Sequence, residues 1–507
     1  MKIILGPIVK FCGQDRKNSM LRFKILAIID GKAPVLKFSG AGASGQDTNP
    51  KCLHSKNNLK FYSYDLQIRQ SSESEVLTYI LGKRSWEINI PGKLVNPKMS
   101  FISCNGFSSV KEIAKVKKKN NLWKASSNSI HKGILDVHAN DPIHLLIMGG
   151  DQVYADSIWH EIPELKEWQE LDFDARVKYP VSEKLALSID DFYFNLYSTR
   201  WNQEEVQTAL ATIPSIMMWD DHDIIDGWGS HDEKLQQCPV FKEIFKNAKQ
   251  YFSILQQQIL PNAVKPDPYL SESDYSFLVH YGKYDILALD LRSQRNLSQV
   301  IHEESWQEIK NAMNHFDDNV KHLLVISSIP VVHPDMSWID SAWDFLLPGR
   351  FDSKFELLDD LRDHWNSRPH QGERLKLIHN LYNVCSKNIR VTILSGDVHV
   401  AALGKLEWQR GGLSGHQRVI NQLTSSGVVH PAPPAFMNII LEMLAKKEYE
   451  FDRGLTAQML KFPASNERIL LGRNWLELNP TDDDRIWGAF HLEEEKHPYL
   501  KAIHPCI

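Results

Sequence analysis

Four short stretches hold residues whose types could do chemistry together. "MGGDQVYAD" (148–156) brings Asp151, Tyr154 and Asp156 straight after an apolar run and two glycines. "MMWDDHDIIDGWG" (217–229) brings Asp220, Asp221, His222, Asp223 and Asp226 after another apolar run. "ILSGDVHVA" (393–401) brings Asp397 and His399, and "MSFISCNGFS" (99–108) brings Cys104. Each acidic cluster alone is more often a turn than a ligand set, because Gly and Asp are ordinary turn residues. Together they describe carboxylates converging at strand ends. Without a cation such groups would repel one another and their pKa values would rise. Hard metal ions resolve the conflict, since they take oxygen ligands and neutralise them. Cys104 is either an inert core thiol or a thiolate ligand.

These stretches need elements to position them. Residues 1–97 read as β-rich: "VLKFSG", "LKFYSYDLQIR" and "SWEINIPGKLV" are short alternating segments separated by Gly, Pro, Asn and Ser, as in a sandwich. "PGKLVNPKM" (91–99) marks a boundary. Over 98–507 strands alternate with helices, the pattern of an α/β layered domain. "IHLLIMGG", "PSIMMWDD", "HLLVISSIPVV" and "IRVTILSGDVHVAAL" are the strands, and "SFLVHYGKYDILALDLR" is two strands joined at Gly282-Lys283. A closing pair of strands is expected from about residue 465.

The bulk properties exclude several classes. With 42% hydrophobic and 24% charged residues the chain has ordinary globular values, and its 507 residues suggest more than one domain. A net charge of −5 leaves no footprint for nucleic-acid binding. The one basic run, "KVKKKN" (115–120), reads as a solvated face. The six cysteines form no close pairs, which suits a reduced compartment. No apolar run is long enough for a membrane helix, and the first residues lack the pattern of a signal peptide, so a cytoplasmic protein is expected. A formal G-x-G-x-x-G at Gly40, Gly42 and Gly45 is followed by loop composition rather than a helix. Neither a P-loop nor a G-x-S-x-G elbow occurs.

The order S-C-N, G-D-Q-V-Y, D-D-H-D, L-D-L-R-S-Q-R, S-G-D-V-H resembles the PhoD-like (alkaline phosphatase D) family of calcineurin-like metallophosphatases. The resemblance covers most of 98–480. It implies a four-layer αββα fold, the N-terminal β-rich region being an accessory sandwich. It also implies metal-dependent hydrolysis of phosphate mono- or diesters, with a metal-activated hydroxide attacking phosphorus in line. Asp151 looks like the bridging carboxylate, and Cys104 and Tyr154 like the thiolate and phenolate that hold iron. Asp221, Asp226, Asp397 and His399 complete the implied ligand set, with calcium or another divalent cation as the companion metal. His222 matches the catalytic histidine that protonates the leaving oxygen. Arg292 and Arg295 are candidate clamps on the phosphate ester, although salt bridges at a strand end explain them equally well. Ser103-Cys104-Asn105 replaces the D-x-H of the wider superfamily, and Ser327-Ser328 stands where other members carry a ligand histidine. "DGWG" (226–229) stands where some members have Asn-Asn. Two alternatives remain at this level: a phosphodiesterase or nuclease on the same scaffold, and a non-catalytic metal-binding protein that works through its surface.

Overall fold

The computed structural model describes the chain apart from residues 43–46, 110–126, 262, 335–364, 366, 410–411 and 507. The basic run 115–120 and Gly45 therefore lie outside the described residues.

The first part of the chain supplies β1 (Lys2–Asp15), β2 (Met20–Asp30), β3 (Leu36–Gly40), β4 (Asp47–Thr48), β5 (Lys51–Lys56), β6 (Leu59–Arg69), β7 (Glu75–Leu81) and β8 (Arg84–Ile90). The parallel strands β9 (Met99–Ile102), β10 (Leu145–Gly149) and β11 (Ser215–Met218) follow. Next come β12 (Phe277–Tyr281), β13 (Tyr284–Ala288), β14 (His322–Ser327), β15 (Arg390–Ser395), β16 (Val400–Trp408) and β17 (Val419–Ser425). The chain closes with β18 (Tyr449–Asp452), β19 (Leu455–Leu460), β20 (Ile469–Leu471), β21 (Asn474–Pro480), β22 (Ile486–Leu492) and β23 (Tyr499–Ile503). Four helices matter below: α1 (Glu183–Trp201), α2 (Pro239–Tyr251), α3 (Glu303–Asn314) and α4 (Gln371–Cys385).

Among the described residues these strands form three sheets. The ten-stranded sheet runs β23-β22-β21-β9-β10-β11-β1-β2-β6-β5. The nine-stranded sheet runs β12-β13-β14-β15-β17-β16-β19-β18, with β20 on β16. The small third sheet is β4-β3-β7-β8. The first large sheet thus crosses the boundary that composition suggests near residue 97: β1 pairs with β11 at Lys10–Ser215, and β2, β6 and β5 continue outward from it. Only β3, β4, β7 and β8 of that region form a sheet of their own. Alternation in these strands reports that one face is buried, and the chain has met that need by extending an existing sheet.

The inner strands β13, β14 and β15 of the nine-stranded sheet are buried on both faces. Along β14, Leu324 and Ile326 join the large core shared with the first sheet, while Leu323 and Val325 join a second core. β13 divides in the same way, with Ile286 and Ala288 on one side and Leu287 on the other. This is the near-continuous apolar run expected of parallel strands covered twice. The second core includes Trp306 and Ile309 of α3 and Leu377, Ile378 and Leu381 of α4. On the other face Gly149 makes room for the Phe101 ring of β9, which would stand 2.3 Å from an added Cβ.

Candidate metal centre

The parallel strands of both large sheets end at the same place, where open α/β sheets bind ligands. β9 runs into Ser103-Cys104, β10 into Gly150-Asp151, β11 into Asp220-Asp221, β15 into Gly396-Asp397 and β17 into Ser426. Backbone hydrogen bonds join these ends, two within a sheet and the third, from Val428, between the sheets. Cys104 N donates to Gly150 O (3.2 Å), Gly396 N to Ser328 O (3.0 Å) and Val428 N to Ser103 O (3.0 Å). The turns are tight and left-handed: Cys104, Asp151, Asp397 and His399 have φ of 57°, 54°, 71° and 53°. A non-glycine residue seldom adopts this region, and such strain gathers at functional sites.

Two groups of donors share Asp151 and Asp221. Asp151, Asp221 and His222 form one, and Asp151, Asp220, Asp221 and Asp397 the other, with the ligand atoms in each group within 4.8 Å of one another. On a further side, the Cys104 thiol donates to Asp151 Oδ2 (3.4 Å), and the Tyr154 hydroxyl reaches the same oxygen at 3.5 Å. Tyr154 also pairs with His399 Nε2 at 3.2 Å. Gly106 makes room for that phenol, because a Cβ there would stand 2.4 Å from Tyr154 Cδ2. Helix α1 holds the loop from behind: the buried Arg200 donates Nε to Asn105 O at 2.6 Å.

The electrostatics are those of a site that needs positive charge. Burial pushes the Asp151 carboxyl well above the carboxylate range, and Asp220, Asp221 and Asp223 push it further, against the pull of His222. Burial lifts Asp220 to about 7 even though Arg292 lowers it. Burial likewise raises Cys104 and Tyr154, each aided by the charge of Asp151. Asp151 Oδ1 and Asp220 Oδ2 are buried without a hydrogen-bond donor among the described residues. Carboxylate oxygens in that state are costly to bury, and a cation would satisfy them. The residues present therefore fit a metal centre.

The remaining expected residues fall into place unevenly. His222 donates Nδ1 to Asp156 Oδ2 (2.7 Å) and stacks on Tyr154 with ring centroids 4.3 Å apart. Burial opposes its charge, but Asp156, Asp221 and Asp151 outweigh it and raise the His222 pKa well above the usual value. Arg292 is fully buried, with Nε on Asp220 Oδ1, Nη2 on Asp221 Oδ1 (3.1 Å) and Nη1 on Trp228 O (3.1 Å). Arg295 is also buried, its methylenes against Gly229. The Asp226 carboxylate enters neither donor group; its backbone N–H donates to Asp156 Oδ1 at 2.8 Å. Asp220 enters in its place, with Ser328 Oγ donating to it at 2.9 Å.

Asp223, from the same D-D-H-D run, is a clamp: it accepts from Gln152 N (3.1 Å), Val153 N (3.3 Å) and Asp220 N (2.9 Å). Sequence reasoning missed His430, whose ring stacks on His399 with centroids 3.6 Å apart and whose Nε2 meets Ser108 Oγ at 3.1 Å. Its signal was the same as that of the other stretches, a strand running into glycine and then histidine in "LTSSGVVH".

Residues 71–350 and 347–460 match the family described as PhoD-related phosphatases. The chain belongs to this family. Among its relatives, the uncharacterised protein YGR266W of Saccharomyces cerevisiae is 27% identical over 538 residues, covering 87% of this chain and 74% of that protein. The solved structure of PhoD superposes with a TM-score of 0.59 over 99% of this chain and 90% of the other, at 12% identity. A dimetal phosphatase from Danio rerio covers 80% of this chain and 98% of its own length, with a TM-score of 0.35 and 10% identity. The chain shares the mixed α/β fold of PhoD, and its strand ends bring carboxylates and a histidine within 4.8 Å of one another.

Proposed function

We propose that the chain hydrolyses phosphate mono- or diesters at a centre that holds at least two metal ions. One observation carries the reading: Asp151 and Asp221 belong to both donor groups, and Asp151 Oδ1, like Asp220 Oδ2, is buried without a donor among the described residues. The donors divide by chemistry. Cys104, Tyr154 and His399 suit a transition metal such as iron, while Asp220, Asp221 and Asp397 suit a harder cation such as calcium, with Asp151 shared between them. Cations held there supply Lewis-acid polarisation of a phosphoryl oxygen and activation of water.

The chain's own groups do the rest. His222, although it lies within one donor group, has Nδ1 fixed on Asp156 and carries a proton at Nε2 for the leaving oxygen instead of ligating a metal. Arg292 acts through the carboxylates it holds rather than by touching substrate, since it is buried and engaged by Asp220 and Asp221. Helices α3 and α4 on the outer face of the nine-stranded sheet support the four-layer αββα reading. The six cysteines, all without a disulfide, support a cytoplasmic location.

The test is elemental analysis together with hydrolysis of p-nitrophenyl phosphate and bis-p-nitrophenyl phosphate. Protein purified without chelator should carry about two metal equivalents or more, lose activity in EDTA and regain it with added metal. A metal-free protein that gains no activity from added iron, manganese or calcium overturns the reading.

A further inference from the structure

Helix α2 does not end as an α-helix. It passes into a π-helical turn, Phe252–Gln256, closed by Gln257 N donating to Phe252 O at 3.0 Å. The three consecutive glutamines Gln256, Gln257 and Gln258 are 1%, 0% and 0% exposed. Amides are rare in so dry a place unless they are bonded, and each here donates to a different element. Gln258 Nε2 donates to Ile8 O of β1 (2.9 Å), and Gln257 Nε2 to Met217 O of β11 (2.8 Å). Gln256 Nε2 donates to Tyr197 OH of α1 (2.9 Å) and to Asp223 Oδ1 (2.9 Å). The widened turn and the left-handed Gln258 (φ 51°) let neighbouring side chains diverge in this way. π-Bulges of this kind are frequent at functional sites.

The Asp223 contact gives the turn its significance. Asp223 accepts from Gln152 N and Val153 N, just after Asp151, and from Asp220 N, just before Asp221. One carboxylate thereby sets the spacing of the two loops that carry the shared ligands. Backbone donors grip it from the two loops, and Gln256 fixes its orientation from outside them. Gln256 Oε1 is itself buried without a donor among the described residues, a burden that an apolar side chain would not carry.

We propose that the π-turn is a positioning device for the metal centre, with Gln256 acting through Asp223 to hold the two ligand loops in register. This rests on the metal-centre reading above. The experiment measures Mn²⁺ affinity of the full-length apoprotein by calorimetry, alongside thermal melting. Gln256→Met should weaken Mn²⁺ binding roughly 10–100-fold, the effect usual for a group that orients ligands. Gln258→Met, which removes an amide of the same burial that serves β1, should lower the melting temperature and leave Mn²⁺ affinity within about twofold, a threshold well below that effect.

Equal Mn²⁺ affinities in the two variants overturn the proposal and leave the metal centre standing. Absence of Mn²⁺ binding in the unaltered protein overturns the proposal, and the metal-centre reading falls with it when added iron and calcium restore no activity either. Coupling must be reciprocal, so Mn²⁺ should also slow amide hydrogen exchange across 252–258 in the unaltered protein while leaving β7 and β8 unchanged. Exchange in that turn indifferent to Mn²⁺ overturns the proposal even if Gln256→Met does not fold.

Discussion

Asp156 Oδ2 lies 2.7 Å from His222 Nδ1, and both side chains are nearly buried. A carboxylate so placed fixes the tautomer and rotation of the imidazole and leaves Nε2 to act on substrate. Asp156→Asn keeps the shape and removes the charge, and turnover on an alkyl phosphate should fall about 10–10³-fold, a part of the roughly 10²–10⁴-fold that a general acid contributes. His222→Asn should cost roughly 10²–10⁴-fold while metal content is retained. Both penalties should shrink on p-nitrophenyl phosphate, whose leaving group needs little protonation. Steady-state kinetics on the two esters decide, and equal losses on both would remove His222 from proton transfer.

Asp151 and Asp221 are the carboxylates common to both donor groups, and Asp151 also meets Cys104 and Tyr154. Asp151→Asn should therefore strip metal as well as activity, because a neutral amide bridges cations poorly. Elemental analysis of the purified variant is the measurement. Full metal occupancy would mean that another residue is the bridge.

Arg292 holds Asp220 and Asp221 from a position with no exposed side-chain surface. Removing one partner of a buried pair typically costs about 3–5 kcal/mol, because the other charge stays buried and alone. Arg292→Met should show a loss of that order in urea unfolding of the apoprotein. A rise in KM with unchanged stability would instead make Arg292 a substrate clamp.

Gly106 gives way to the Tyr154 ring, and a methyl there would stand 2.4 Å from Cδ2. Gly106→Ala should displace the phenol and reduce metal content. Gly133, in the helix Ser129–Asn140, has nothing within 4 Å of an added Cβ. Gly133→Ala should be neutral or stabilising by up to about 1 kcal/mol. Thermal melting and metal content of the pair separate a local clash from a general intolerance of alanine.

His144 and His322 lie away from the metal loops, and burial lowers each pKa from 6.5 to about 4. His144 Nδ1 accepts from Lys98 N at 3.1 Å, and His322 Nε2 donates to Asp484 O at 2.7 Å. The unfolded chain takes up these protons below about pH 6.5, and the folded chain resists until about pH 4. The unfolded state then binds more protons, so stability falls with falling pH across that window. Each histidine contributes a slope of at most about 1.4 kcal/mol per pH unit. Urea unfolding between pH 7 and 5 should show this fall, and His322→Asn should make it shallower. A variant with the slope of the unaltered protein would show that His322 is not part of it.

The chemistry was legible in the chain because ligand types cannot be disguised. Asp151, Tyr154, Asp221, Asp397 and Cys104 each follow an apolar strand within a few residues, and the structure brings them together. Within the D-D-H-D stretch the sequence could not divide the work. Asp220 enters a donor group, Asp223 turns back as a clamp and the Asp226 carboxylate enters neither group, although all three are aspartates in one short segment. That division depends on a single turn of 3-10 helix at Asp221–Asp223 and on donors from Gln152, Val153 and Gln256, all remote in sequence.

By itself, the sequence determined that strands would end in acid, thiol, phenol and imidazole, since period and residue type are local properties. Tertiary structure alone decided that β1, β2, β6 and β5 extend the sheet of β9–β11 and that His430 comes to rest on His399. Strand alternation specifies a buried face and leaves open which sheet provides it. Tertiary structure also buried three consecutive glutamines at the end of α2. The partners of Gln256, Gln257 and Gln258 lie on β1, on β11 and in the metal loop, and they meet only when both large sheets are in place.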